Sequence, residues 1–244
     1  VSGTGGSFSD ASSPTATFTG SPKTQYELKW TIATTCGNSP DNVNIFFWQN
    51  GAGSPVVDVE GNSYNTVWIG TQLWLSENLK TTKYNDNTNI PLISNTADWL
   101  NSTTAAYCWY NNEISNKDIY GALYRWEVVN TGKLCPEGWH VPSDAEWTIL
   151  TDYLTNNGFG FEGSGDDIAK ALAAKTNWMN YSILGAPGND QASNNSSGFS
   201  ALPGGYRNTD GSFYYNTYAC HWWSATEAIR MPPGAGTCAT IPAL

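Results

Sequence analysis

The chain has 244 residues, enough for one or two domains, and charged residues make up only 13% of it, about half the usual share. Eleven Lys and Arg stand against 21 Asp and Glu, and the net charge of −10 argues against nucleic acid and anionic membranes as partners. No apolar run of about 18 residues is present, so we expect no transmembrane segment. The abundance of Asn, Thr, Trp and Tyr is typical of secreted or surface-displayed proteins, which predicts an extracellular location.

The first 50 residues differ in pattern from the rest of the chain. Alternating apolar residues between Gly, Pro, Ser and Asn turns predict strands over 15–19, 26–32 and 43–47. These segments (TATFT, YELKWTI and VNIFF) resemble the later strands of an immunoglobulin-like or PKD-like module of bacterial surface proteins. Three or four strands are too few for a closed sandwich, so we predict a partial β-sandwich over 1–50. Its open sheet either pairs with another chain or docks on the neighbouring domain.

A Gly, Ser and Pro stretch predicts a linker over 51–57, followed by a second domain over 58–244. Alternation over 66–70 and 72–75 predicts a hairpin. Leu123, Trp126 and Val129 recur at helical spacing, which predicts a short helix.

The segment 135–147 combines a Pro and Gly turn with a strong helix start. Ser143 and Glu146 have the spacing of a capping box, and apolar residues follow at helical spacing, so we predict a helix over 143–156. Trp139 and Val141 alternate before it and predict a short strand. A second short helix is predicted over 166–175. Two helices among short strands and long loops predict an α+β domain.

Several ordered segments together resemble the Fibrobacter succinogenes major paralogous domain. They are DVEGNSYNTVWIGTQLWLSENLKTTKYND (58–86), AYCWYNN (106–112), YGALYRWEVVNTGKLCPEGWHVPSDAEW (120–147), GFSALPGGYRNTDGSFYY (198–215) and WWSATE (222–227). The resemblance implies a C-type-lectin-like domain with two helices and a small twisted antiparallel sheet, carried on exported bacterial proteins. It also implies adhesion or ligand display, although the family's molecular function is mostly unassigned. The tail over 228–244 departs from the family pattern, because Pro and Gly replace the expected aromatic residues.

The five cysteines form no CxxC pair, which argues against a zinc site. In an exported protein we expect one or two disulfides, and the odd cysteine implies a free thiol or a partner outside the chain. Connectivity stays open. The candidate pair is Cys135 with Cys238, and Cys238 stands where the resemblance places a late cysteine.

The candidate ligand site lies near the end of the family-like region, where C-type lectins carry their ligand strand. Alternation places Trp222, Ser224 and Thr226 on one face, and Glu227 supplies a polar neighbour. Tyr214 and Tyr215 complete the set of predicted ligand-binding residues, which is Trp222, Ser224, Thr226, Glu227, Tyr214 and Tyr215. The alternative is structural, with a Trp in the core and Glu227 as a hydrogen-bonding or salt-bridge partner.

Calcium is the one cofactor considered, and the main expectation is that the chain has none. Loop carboxylates could supply oxygen ligands, but no EF-hand pattern is present. These carboxylates are Asp166, Asp167, Asp190 and Asp210.

The sequence contains no recognisable activated nucleophile and only two histidines, His140 and His221, so we predict a non-enzymatic protein. The leading hypothesis is an exported bacterial cell-surface binding or adhesion domain that recognises a glycan or a surface protein. The alternative is a structural subunit of an extracellular fibre or surface layer that self-associates through the N-terminal sheet.

Overall fold

The computed structural model describes residues 4–21, 24–35, 37–47 and 50–226, and the chain divides into two compact units, Val1–Asn50 and Gly51–Leu244. Both strands and helices are present, and the strands form small antiparallel sheets. This arrangement confirms the α+β class, and the C-type-lectin-like form stays a prediction.

The described part of the first unit contains two antiparallel pairs of strands. Strand β1 (Ser7–Phe8) pairs with β2 (Phe18–Thr19), and β3 (Thr24–Thr34) pairs with β4 (Gly37–Phe47) along eleven residues each. The core of this unit is aromatic: the buried Tyr26 ring makes an edge contact with Phe18 at 5.0 Å, and Phe18 makes another with Phe8 at 4.9 Å. The tyrosine hydroxyl also donates to the carbonyl oxygen of Thr4 at 2.8 Å, which secures the base of the long hairpin.

The long hairpin has one apolar face. Tyr26, Trp30 and Ile32 alternate along β3, and the register Leu28↔Val43 places Val43 on the same face. Tyr26 is buried, whereas Trp30, Ile32 and Val43 are exposed. The apolar face is therefore covered near the open end of the hairpin and exposed towards its turn.

Over residues 51–226, the second unit contains nine short strands that pair with one another in antiparallel fashion. Strands β5, β8 and β9 form a three-stranded sheet, and the others form the pairs β6–β7, β10–β11 and β12–β13. The strands are β5 (Gly51–Ala52), β6 (Val56–Val57), β7 (Ser63–Tyr64), β8 (Thr66–Ile69), β9 (Gln72–Leu75), β10 (Tyr107–Cys108), β11 (Leu123–Tyr124), β12 (Gly204–Arg207) and β13 (Phe213–Asn216). The β8–β9 hairpin lies where the alternation predicted it.

Residues 51–57, predicted as a linker, belong to the second unit. Gly51 and Ala52 pair with Trp68 and Val67, and β6 pairs with β7. The Gly53 amide donates to the Thr66 carbonyl at 2.9 Å, and a β-carbon at Gly53 would lie 2.7 Å from the Leu73 side chain. The glycines of this stretch thus permit close packing, a role that composition alone does not distinguish from flexibility.

The five α-helices of the described residues are short except for one. They are α1 (Thr96–Asn101), α2 (Lys117–Tyr120), α3 (Trp126–Val129), α4 (Asp144–Asn156) and α5 (Ala169–Leu172). The predicted capping box of α4 is confirmed: the Ser143 hydroxyl accepts from the Glu146 amide at 3.3 Å, and the Glu146 carboxylate accepts from the Ser143 amide at 2.8 Å.

Three other predictions of local structure differ from the structure. The helix predicted from Leu123 is wrong at its start, because Leu123 and Tyr124 form β11 opposite β10. The helix predicted over 166–175 is reduced to the single turn of α5. Trp139 and Val141 form no strand. None of the described helices has the length and apolarity needed to cross a bilayer.

A buried arginine fixes the region around β12. Arg207 is fully buried, and its guanidinium donates to the carbonyl oxygens of Ile93 at 2.7 Å, Ser94 at 3.0 Å and Gly211 at 3.1 Å. It also lies over the Trp99 ring at 4.2 Å. The segment 93–94, helix α1 and the turn at Gly211 are thereby joined to one strand, and the buried charge is satisfied by carbonyl oxygens.

Candidate functional site

The predicted ligand residue Trp222 packs inside the second unit. Its ring stacks on Trp147 of α4 at 5.7 Å and makes an edge contact with Phe199 at 5.5 Å. Its indole nitrogen lies 3.4 Å from the Asn78 side-chain oxygen. These contacts make Trp222 part of the apolar cluster behind α4, which corresponds to the structural alternative.

The residues after Trp222 also contact the scaffold. The Trp223 indole nitrogen donates to the Tyr124 carbonyl at 2.8 Å. The Thr226 hydroxyl accepts from the Asp144 amide at 3.0 Å, in the first turn of α4, while Ser224 accepts from the Thr226 amide. Glu227 lies outside the described residues. The segment 222–226 therefore fastens the start of α4 to the core.

The other two predicted residues, Tyr214 and Tyr215, lie in a cluster of aromatic rings that we call the tyrosine cluster: Tyr206, Tyr214, Tyr215 and His221. The register of β12 and β13 places Tyr206 opposite Tyr214, with ring centroids 5.6 Å apart. Tyr206 also lies 5.8 Å from Tyr215 and 4.7 Å from His221. The chain thus brings the predicted pair together with two residues that the sequence analysis did not select.

The backbone around the cluster is unusual. Tyr215 has φ of 59° and Thr217 has φ of 68°, values that bulky or β-branched side chains rarely adopt. Gly205 has φ of 62°, and a β-carbon there would lie 2.7 Å from the Asn216 amide nitrogen. The left-handed backbone costs about 1–3 kcal/mol at each of the two non-glycine residues, Tyr215 and Thr217, and such conformations concentrate at functional sites.

The rings of the tyrosine cluster are uncharged, and the Tyr214 hydroxyl lies 3.5 Å from the Asp210 carboxylate. Tyr214 is 40% exposed and Tyr215 is 56% exposed. Burial lowers the pKa of His221 below its usual range, so the imidazole is neutral at physiological pH. Burial, followed by the neighbouring Tyr215 and Tyr214, raises the pKa of Tyr206. The rings therefore offer apolar faces and neutral hydroxyl groups to a ligand.

The His221 Nδ1 atom is buried and has no hydrogen-bond partner among the described residues. Its ring makes an edge contact with Tyr206 and a stacked contact with Tyr215 at 6.3 Å. The histidine therefore acts as an aromatic support behind the two tyrosines.

No three His, Cys, Asp or Glu side chains converge to hold a metal ion in the described ranges. Two of the four calcium candidates are engaged locally: Asp167 accepts from the Phe161 amide at 2.9 Å, and Asp210 accepts from the Ser212 amide at 2.8 Å.

Cys135 and Cys220 carry free thiols, and no disulfide joins cysteines within the described residues. Burial raises the pKa of both thiols. Cys238, the proposed partner of Cys135, lies outside the described residues.

His140 has a partner that the sequence analysis missed. Its Nε2 atom lies 2.8 Å from the carboxylate of Glu146, the capping residue of α4. Partial burial alone would raise the pKa of Glu146, but hydrogen bonds from Ser143 and His140 together lower it. The i, i+6 spacing between the two residues across a helix start is the signal that could have revealed this contact. The contact between His140 and Glu146 stabilises the start of α4, so both residues have a structural role.

The comparisons with known proteins give one match. The model of the Fibrobacter succinogenes major domain matches residues 67–233, more than half of the chain, and covers α4 as well as the tyrosine cluster. Neither a curated protein nor a solved structure matches the chain. The chain therefore belongs to the Fibrobacter succinogenes major domain family.

Proposed function

We propose that this protein is an exported, non-enzymatic binding domain of the bacterial cell surface that holds glycans on its tyrosine cluster. The observation that carries the proposal is the close grouping of three tyrosines and one histidine beside a strained turn, with Tyr214 and Tyr215 exposed to solvent. Exposed aromatic groups of this kind are a common form of binding surface, because each ring contributes a large contact area with few rotatable bonds.

Glycans match the chemistry of the cluster. A tyrosine ring offers an apolar face to the C–H groups of a sugar ring, while its hydroxyl can bond to the sugar hydroxyls. The net charge of −10 favours neutral over acidic glycans. The strained Tyr215 backbone supports the same proposal, since strain that a fold maintains is often used for function.

A glycan array followed by calorimetry on the full chain tests this function. We expect Tyr215→Ala and Tyr214→Ala each to weaken binding by about tenfold, or about 1.4 kcal/mol. Tyr181→Ala is the matched control, because Tyr181 is 54% exposed and lies on a different loop. An array without any bound glycan, or an equal loss in the Tyr181 variant, would refute the proposal. Fractionation of the source cells tests export separately.

A second candidate function is self-assembly into an extracellular fibre or surface layer through the β3–β4 hairpin. The observation that favours it is the exposed apolar face formed by Trp30, Ile32 and Val43, since a two-stranded hairpin gains stability when a third strand or a packed layer covers it. Light scattering should show concentration-dependent association that Ile32→Lys reduces. Thr31→Lys, on the opposite face, should leave it unchanged. A strictly monomeric chain at all concentrations would exclude assembly.

A further inference from the structure

A cleft of about 210 Å³ lies in the second unit, next to α5. The loop after α4 forms one wall, and the loop before β12 forms the other. Its chemistry is mixed: two aromatic rings, two hydroxyl groups, one cation and one carboxylate. The residues that carry these groups are Phe159, Phe161, Ser193, Ser196, Lys170 and Glu162.

Lys170 is the unusual member of this lining. The residue is only 8% exposed, and its ammonium donates to the backbone carbonyl oxygens of Asn189 and Asp190. No ion pair connects it to a carboxylate of the described residues. An ammonium has three N–H donors, so one remains for a ligand. A buried cation that faces only neutral acceptors gains most from a negatively charged partner.

Glu162 gives the cleft its second charge. It belongs to the wall formed by the loop after α4, and its backbone has a left-handed φ of 60°. A ligand carrying only a carboxylate would meet repulsion from Glu162 and from the net charge of −10. Asp167 lies on the same side, where its carboxylate is engaged by the Phe161 amide. A ligand with both an ammonium and a carboxylate satisfies Glu162 and Lys170 together.

The walls of the cleft are fixed by backbone hydrogen bonds. The Asn195 amide donates to the Lys170 carbonyl at 2.9 Å, and the Ser197 amide donates to the Ala171 carbonyl at 3.1 Å. Gly160 turns so closely against Ser164 that a β-carbon would collide with its carbonyl group. The cleft is therefore present before any ligand arrives, which lowers the ordering cost of binding.

We propose that this cleft binds a free α-amino acid, with the ligand carboxylate on Lys170 Nζ, the ligand ammonium on the Glu162 carboxylate and the ligand side chain between Phe159 and Phe161. Clefts for drug-sized ligands span about 300–1,000 Å³. The cleft of about 210 Å³ is smaller, so it suits a ligand smaller than a drug, such as an amino acid. This site is separate from the tyrosine cluster and does not depend on its function.

Ligand-observed NMR on the full chain tests the proposal with leucine, phenylalanine and serine as probes, each at about 1 mM. For the best probe, the matched compounds are the acid that lacks the amino group and the amine that lacks the carboxylate. We expect the amino acid to bind and both analogues to bind at least about tenfold more weakly, because each loses one charge-assisted contact. Failure of all three amino acids to bind, or equal binding of the analogues, would overturn the proposal.

Single substitutions test the two proposed contacts, from Lys170 to the ligand carboxylate and from Glu162 to the ligand ammonium. Lys170→Met should weaken amino-acid binding by about tenfold or more, whereas Lys175→Met, an exposed lysine outside the cleft, should have no effect. Glu162→Gln should remove the preference for the amino acid over its deaminated analogue. Because Lys170 also tethers a loop, thermal melting checks that its variant is folded. If it is not, the exposed Glu162 variant decides the question, and an unchanged preference there contradicts the proposal. Tyr215→Ala should retain this binding.

Discussion

Replacement of Gly205 by alanine should damage both stability and the tyrosine cluster. Gly205 has φ of 62°, and its amide donates to the Ala219 carbonyl at 3.0 Å. A β-carbon there would lie 2.7 Å from the Asn216 amide nitrogen, closer still to the Tyr214 carbonyl oxygen, and 3.0 Å from the Tyr110 ring. Backbone atoms of β13 must therefore move, and they carry Tyr214 and Tyr215.

The expected cost has two parts. A left-handed conformation costs an alanine about 1–2 kcal/mol relative to glycine. Forcing a methyl group into a packed site adds about 1–3 kcal/mol. Gly205→Ala should therefore lower the free energy of unfolding by about 2–5 kcal/mol, a large part of the stability of an ordinary domain.

The variant Gly132→Ala separates the cost of the left-handed conformation from the cost of the steric clash. Gly132 has nearly the same φ, 66°, but a β-carbon added there would have no described atom outside its chain neighbours within 4 Å. Urea denaturation of both variants should give a loss of about 1–2 kcal/mol at Gly132 and a further loss of about 1–3 kcal/mol at Gly205. Equal losses at the two positions would show that the close approach of β12 and β13 is absent in solution, and would refute the geometry proposed for the cluster.

Three further outcomes follow from packing and ionisation. Trp222→Ala should lower the free energy of unfolding by about 3 kcal/mol in urea denaturation, because the ring fills the space between α4 and Phe199; a loss below about 0.5 kcal/mol would place the ring outside the core. Hydrogen bonds from the Thr88 hydroxyl, the Lys133 ammonium and the Thr88 amide lower the pKa of Asp86 from 3.8 to about 2, so the contribution of this carboxylate to stability is complete above pH 3.8 and is lost as the pH falls towards 2. An NMR titration should show this midpoint, and Thr88→Val should raise it. Burial raises the pKa of Cys220 to about 12 and also raises that of Cys135, so thiol reagents at neutral pH should label these two residues only after unfolding. Peptide mapping identifies the labelled cysteines, and rapid labelling of Cys135 or Cys220 in the native chain would contradict their burial.

Local rules predicted some elements well. The helix α4 was predictable because the Ser143 hydroxyl and Glu146 carboxylate act within one turn, and the β8–β9 hairpin because its alternation and turn are contiguous. The helix prediction that began at Leu123 was wrong for the opposite reason. Its helical spacing is real over Trp126–Val129, but Leu123 pairs with Cys108, fifteen residues earlier, and no local rule contains that partner.

The candidate site also combines residues that local patterns predicted with residues that they did not. Tyr214 and Tyr215, two of the predicted ligand-binding residues, are exposed, and Tyr206 could have been added to them by counting back through the turn that joins β12 to β13. His221 reaches the cluster through a bridge between Gly205 and Cys220, which depends on the left-handed backbone of Gly205. For Trp222, alternation predicted which neighbouring residues point to the same side of the chain. It did not predict that Trp147 and Phe199 pack against that side.

The buried guanidinium of Arg207 has a consequence for the kinetics of recognition. It joins β12 to the segment containing Ile93 and to the turn at Gly211, and the adjacent residue on the same strand is Tyr206. One side of the strand is therefore anchored while the other presents the ligand surface. A surface held in this way needs no loop closure before contact. We expect ligand association in a single kinetic step, with differences in affinity among ligands set by how fast each one leaves.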